Sequence, residues 1–170
     1  DLVLVHPGAV HGIYGPLGVT LVAVEPPLWP RIIASYFLDR GRSVAIVDQE
    51  AERLSPTEVA TRVADLGPRL VAICVSGHQP SASTQQMTGA RAVAQAIVCD
   101  PVLNRPRILM LGNHPSALPG RTLREEPVHY VCDGEGPATI EGLLDLLGGK
   151  PGTVADIPGL VADGVREVDL

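Results

Sequence analysis

Five histidines, three cysteines and a scatter of serines are the side chains with which this 170-residue sequence could do chemistry. A zinc site needs Cys or His ligands paired at short spacing. His6 and His11 lie five residues apart, His78 and His114 stand alone, and no Cys/His pair has zinc spacing. Cys74, Cys99 and Cys132 are odd in number and far apart, which fits neither a disulfide framework nor a zinc knuckle. Ser76-Gly77-His78 lacks the Gly-x-Ser-x-Gly arrangement that exposes a nucleophilic serine. There is no Gly-Lys-Ser/Thr phosphate loop. Gly134-Glu135-Gly136 begins like a dinucleotide loop, but it lacks the third glycine and carries a carboxylate where phosphate would lie. No catalytic residue and no metal ligand are therefore assigned. The polar residues and their neighbouring glycines read as parts of loops that surround a large ligand rather than attack one.

The elements that position those loops are legible as apolar runs. Leu2-Val3-Leu4-Val5 is ended by His6-Pro7-Gly8, and Val44-Ala45-Ile46-Val47, Leu70 to Val75, Ile108-Leu109-Met110-Leu111 and His129-Tyr130-Val131-Cys132 each end at Gly, Asp or Ser. Continuous rather than alternating runs imply strands covered on both faces. Between them, helical spacing predicts helices over 30–41, 56–66, 84–99, 118–125 and 137–147. Ser55-Pro56-Thr57-Glu58 is a capping box with proline at the first helical position, and Thr84 is a candidate N-cap. Strand and helix alternating five times predict an α/β, doubly wound, Rossmann-like or flavodoxin-like fold. Its sheet has five parallel strands in the order 2-1-3-4-5 with helices on both faces. In such folds the ligand crevice lies at the carboxyl edge where the strand order reverses, here between strands 1 and 3. Residues 1–149 form the domain, and 150–170 read as a linker with a small hairpin around Asp163-Gly164.

Composition narrows the partners. A net charge of −6 with 45% hydrophobic residues excludes disorder and makes nucleic acid a poor partner. No run approaches a membrane span, no signal peptide opens the chain, and the cysteine usage fits a reducing, cytoplasmic compartment. The start at Asp1 without Met suggests a piece of a longer protein.

On this topology the chemistry-bearing residues gather at the carboxyl edge. The loop 6–27 is long and carries His6, His11 and Tyr14 with four glycines. Loops of that length in compact domains are usually functional. After the third strand come Ser76, Gly77, His78, Ser81 and Ser83; after the fourth, Gly112, Asn113 and His114; after the fifth, Gly134, Glu135 and Gly136.

Taken together these motifs resemble the N-terminal cobalamin-binding domain of cobalamin-dependent radical SAM enzymes. The carriers are Pro26-Pro27-Leu28-Trp29-Pro30 before an apolar helix, Val44 to Asp48, and Leu70 to Ser76. Leu111-Gly112-Asn113-His114-Pro115-Ser116-Ala117-Leu118-Pro119 is similar to the family's Gly-Gly-x-His-x-Ser/Thr-x-x-Pro stretch. Val131 to Pro137 resembles its Gly-Glu-Gly-Glu signature, and Ile157-Pro158-Gly159-Leu160 its lead-in to the catalytic barrel. The resemblance implies a cofactor domain for cobalamin, with the nucleotide tail in the crevice beside Ser76, Gly77, Ser81 and Ser83. The corrin would lie near Gly112, Gly134 and His114, with Tyr14 and Trp29 as packing candidates. It further implies a methyltransferase acting on an unactivated carbon. The [4Fe–4S] cluster and S-adenosylmethionine would belong to a radical SAM domain downstream of Leu170, because no C-x-x-x-C-x-x-C motif occurs here.

Asn113 replaces the family's second glycine, and Pro137 its last Glu. The Asp-x-His-x-x-Gly motif that carries a cobalt-binding histidine is absent: Ala9 precedes His11 by two residues and Tyr14 follows it by three. The resemblance then implies cobalamin bound base-off without a protein histidine on cobalt, with His6 and His11 as the alternative ligands. Two other readings stand beside this one: a flavodoxin-like module for another nucleotide-type ligand, and a degenerate cobalamin fold used for interaction only.

Overall fold

The computed structural model describes residues 1–8, 15, 24, 26–76, 82–100 and 106–162. Its strands are β1 (Leu2–His6), β2 (Val44–Asp48), β3 (Leu70–Val75), β4 (Arg107–Gly112), β5 (Tyr130–Cys132) and β6 (Leu160–Ala162). They form one sheet ordered β2-β1-β3-β4-β5-β6. The first five are parallel, in the expected order. The sixth is a correction to the five-strand expectation. Leu160–Ala162, read as part of a linker, pairs antiparallel with β5. Three residues are too few to show as a run. The pairing comes from the open edge of β5, from the Asp133 N–H donating to Gly159 O at 2.7 Å, and from Val154 and Ile157 packing into the core. Asp163 and Gly164 lie outside the described residues.

Successive side chains on a strand point to opposite faces, so each apolar run feeds two layers at once. Val3, Val5, Val71 and Ile73 pack against α2 (Pro56–Leu66) and α3 (Ala82–Cys99) through Val59, Val63, Ala90 and Val93. Leu2, Leu4, Ala72, Cys74, Leu109 and Leu111 face the other way. There they meet α1 (Leu28–Leu38) through Ile33 and Phe37, and α6 (Pro137–Leu147) through Ile140, Leu143 and Leu144. That two-sided burial is why the strands read as continuous.

Local chemistry sets the helix ends. The capping box at α2 is formed as expected: Ser55 Oγ accepts from Glu58 N at 3.2 Å, and the Glu58 carboxylate accepts from Ser55 N at 2.7 Å. These bonds hold the Glu58 carboxyl below its ordinary pKa. α1 opens two residues before Pro30, which the first turn tolerates because its N–H groups have no intrahelical partner. The helix expected over 118–125 is α5 (Pro119–Glu125), and the residues before it, expected as loop, form a short helix of their own, α4 (Asn113–Ala117). The break falls at Leu118, φ −135° and ψ 53°, because a residue before proline avoids the helical region. Helix α3 begins at Ala82, so Thr84 is not its N-cap. Its hydroxyl instead meets His114 Nδ1 at 3.0 Å.

Phe37 is 0% exposed beneath α1, while Ile32 on the same helix is 48% exposed. Phe37→Ala is expected to cost about 3–5 kcal/mol in thermal or denaturant unfolding. Ile32→Ala should stay within about 0.5 kcal/mol of the parent, as for most surface substitutions. Equal losses at the two positions would contradict this packing.

Candidate functional site

Five parallel strands bring their carboxyl ends to one edge, and a cleft of about 190 Å³ opens there. Its lining comes from Trp29 and Ile33 of α1, Cys74, Val75 and Ser76 at the end of β3, and Leu111, Gly112, Asn113 and Ser116 after β4. Gly134 and Glu135 close it from the loop between β5 and α6. The lining is graded. Ile33, Cys74, Val75 and Leu111 are buried and apolar, whereas Asn113 and Glu135 are exposed. Pockets that enclose a drug-sized molecule run to roughly 300–1,000 Å³. A cleft of about 190 Å³ therefore admits one flat portion of a larger ligand.

Two glycines shape it. Gly112 has φ +124°, and a Cβ there would lie far inside contact distance of the Val75 carbonyl oxygen. Only glycine lets the end of β4 run that close to β3. Gly136 has φ +99°, and its Cβ would meet Leu111 Cδ1 at 2.7 Å. Its absence seats the start of α6 on the cleft wall.

The loop from 133 to 136 is braced from two sides. The Ser116 hydroxyl lies 3.1 Å from Cys132 O and accepts the Gly134 N–H at 3.2 Å. Opposite, Thr139 Oγ1 donates to Pro158 O at 2.6 Å and lies 3.3 Å from Cys132 Sγ. Gln49, buried beside the end of β1, donates its backbone N–H to His6 O at 3.0 Å. Its side chain accepts from Gly8 N at 2.8 Å and donates to Leu54 O at 3.1 Å. That latch fixes where the long loop leaves the sheet.

Of the residues expected at the site, Ser76, Gly112, Asn113, Gly134 and Glu135 meet in the cleft. Gly136 lies buried behind Leu111, and Ser83 is buried in the first turn of α3; neither lines the cleft. His6 is buried at the end of β1 and His114 leans on Thr84, both outside the lining. His11, Tyr14, Gly77, His78 and Ser81 lie outside the described residues. This cleft opens over β3 and β4. Most of the loop residues that would border the crevice expected between β1 and β3 lie outside the described residues. Ile33, Cys74, Val75 and Leu111 were missed as site residues because on paper they are indistinguishable from core. Ser116 lay in a quoted motif without a role. Among the described residues no group of three or more His, Cys, Asp or Glu is placed to hold a metal ion, and no helix is long and apolar enough to cross a membrane.

Comparison with known proteins decides what such a cleft belongs to. The profile of the B12 binding domain family matches residues 14–144. The chain belongs to the B12-binding domain family. Solved structures agree on the fold. TsrM, a radical S-adenosylmethionine methyltransferase from Kitasatospora setae, superposes with a TM-score of 0.73 at 19% identity over 98% of this chain and 29% of its own. The cobalamin-dependent S-adenosylmethionine radical enzyme OxsB, with aqua-cobalamin and S-adenosylmethionine bound, gives 0.70 at 16% identity over 98% and 21%. The B12-binding domain therefore spans under a third of those chains. No curated protein sequence matches it.

The residues present suit cobalamin. A narrow, apolar-floored cleft with a polar mouth fits a nucleotide tail, and the glycine-lined edge leaves its surroundings open to a macrocycle. Two thiols lie buried at and beside the cleft, Cys74 in its lining and Cys132 at the end of β5. Burial pushes the Cys74 pKa up to about 12, and burial likewise raises that of Cys132. At pH 8, iodoacetamide is expected to modify exposed Cys99 in the folded chain and to reach Cys74 and Cys132 only after denaturant is added. Mass spectrometry of tryptic peptides reads this. Cys74 labelling at the rate of Cys99 would contradict a buried cleft floor.

Proposed function

We propose that this chain is the cofactor domain of a cobalamin-dependent radical SAM enzyme, most plainly a methyltransferase acting on an unactivated carbon. Support for the radical SAM setting is the shared fold with TsrM and OxsB across nearly the whole chain. The observation that carries the binding mode is the graded cleft over β3 and β4. In this reading the nucleotide tail enters past Ser76, Asn113 and Ser116. The corrin lies across the carboxyl edge near Gly112, Gly134 and Glu135, with His114 held beside it by Thr84. His6 at the end of β1, Ser83 in the first turn of α3 and Gly136 behind Leu111 support the site from around the cleft; His11, Tyr14, Gly77, His78 and Ser81 are further contacts in this reading, and no protein histidine ligates cobalt.

Bound cobalamin supplies a cobalt centre able to carry a methyl group, while the protein's share is binding and orientation. Ser116 and Thr139 keep the loop after β5 at a fixed height above the cleft. In this reading the cofactor unit expected over 1–149 extends through β6, whose pairing with β5 and the burial of Val154 and Ile157 tie that segment to the core, and the residues after it lead toward a domain that would hold a [4Fe–4S] cluster and S-adenosylmethionine. The free thiols of Cys74, Cys99 and Cys132 fit a reducing cytoplasm.

Hydroxocobalamin added to the chain should be retained at one per chain through gel filtration, with a base-off absorption spectrum. Elution without corrin would end the reading. Ser76→Trp, which fills the mouth, should weaken cobalamin binding by about tenfold or more with little change in melting temperature. Undiminished affinity would refute the placement of the tail.

A further inference from the structure

The cleft's floor also has a chemistry that discriminates between tails, an inference that rests on the tail placement proposed above. Corrinoids differ in the lower base carried by the nucleotide: a benzimidazole in cobalamin, a purine such as adenine in other natural forms. The ribose is attached through the five-membered ring in both, so the six-membered ring enters the cleft first. In adenine that ring presents two nitrogens and an amino group. In a benzimidazole the same positions are C–H or methyl.

The floor itself is poor in hydrogen-bonding groups. Ile33, Val75 and Leu111 offer only carbon in their side chains. The Cys74 thiol is 1% exposed, stays protonated because burial raises its pKa to about 12, and points to Ala72 O at 3.8 Å. The strand backbones beneath are paired, Cys74 with Leu111 and Val75 with Gly112. The Ser116 hydroxyl is engaged with Cys132 and Gly134. The remaining polar lining residues stand above the floor: Ser76 is half-buried at the end of β3, Asn113 and Glu135 are exposed at the mouth, and Trp29 is 46% exposed. A purine whose six-membered ring reaches that floor would lose water from its ring nitrogens and amino group, and the side chains of Ile33, Val75 and Leu111 and the engaged Cys74 thiol return no partner, which is costly in an apolar site. We infer that Ile33, Cys74, Val75 and Leu111 make this domain selective for corrinoids with a benzimidazole-type lower base over those with a purine base.

Trp29 is the single tryptophan of the chain and lines the cleft, so its fluorescence reports occupancy. The test is a titration of the chain with three corrinoids: cobalamin, its adenine-base counterpart, and cobinamide, which has no tail. Calorimetry serves as the second readout. Cobalamin is expected to bind at least tenfold more tightly than the adenine form, and cobinamide more weakly than cobalamin. Equal binding of the two complete corrinoids, with cobinamide weaker, overturns the selectivity and leaves the tail placement intact. Cobinamide binding as tightly as cobalamin overturns both, and failure of all three defeats the cobalamin reading itself. Cys74→Ser places one hydroxyl on the floor and should narrow the preference severalfold. A preference unmoved in a folded Cys74→Ser chain removes Cys74 from the set that selects, whereas the parent ratio tests the floor regardless of how that variant folds.

Discussion

The close approach of β4 to β3 at Gly112 is the constraint on which the rest of the site depends. A Cβ at that position would run into the Val75 carbonyl, so any other residue forces the two strand ends apart. With glycine there, the chain turns straight from β4 into α4, which brings Asn113 and Ser116 to the cleft. Ser116 in turn holds the loop after β5, and Gly136 lets that loop settle on Leu111. The cleft is thus bounded by backbone geometry more than by large side chains, as a site for a wide, flat ligand requires.

Behind the cleft, the forces are ranked by burial. Side chains such as Phe37, Ile140 and Leu143, with no exposed surface, supply the stability that keeps α1 and α6 on the sheet. The ion pairs on the same side, Arg40 with Glu141 and Arg42 with Asp145, lie partly in solvent and add little. One pair on the other face differs: Arg91 meets the buried carboxylate of Glu126 with two bonds, at 2.8 and 2.7 Å. That fork fastens the end of α5 to α3, and a bidentate guanidinium–carboxylate pair is among the stronger polar contacts. The segment after α6 is a working part of the same unit. Val154 and Ile157 fill the core under α6, and β6 covers the edge of β5, whose open N–H and C=O groups would otherwise be available for pairing.

Much of this was legible in the sequence because burial on two faces writes itself as unbroken Val, Leu and Ile. The strand order and the helix over 137–147 followed from apolar spacing, and the capping box from Ser55 with Glu58 three residues on. What escaped was set by tertiary contact. Leu160–Ala162 is a strand only because β5 has an edge to pair. Thr84 has helical residues before it, so its hydroxyl serves His114 instead of a helix end. The floor of the cleft was hidden for the same reason that the strands were visible: Cys74 and Leu111 look like core, and they are core until the start of α1 stops short of covering them. Ser76, Gly112 and Glu135 could be found because small or polar residues after an apolar run mark a loop at the carboxyl edge.

The central claim is that the cleft holds the lower base away from the cobalt, with no protein histidine taking its place. Electron paramagnetic resonance of the chain loaded with cobalamin and reduced to the cobalt(II) state tests it most directly. A cobalt spectrum free of nitrogen superhyperfine splitting is predicted. A triplet splitting from one axial nitrogen would show the base, or a histidine such as His6 or His11, bound to cobalt, and would contradict the account.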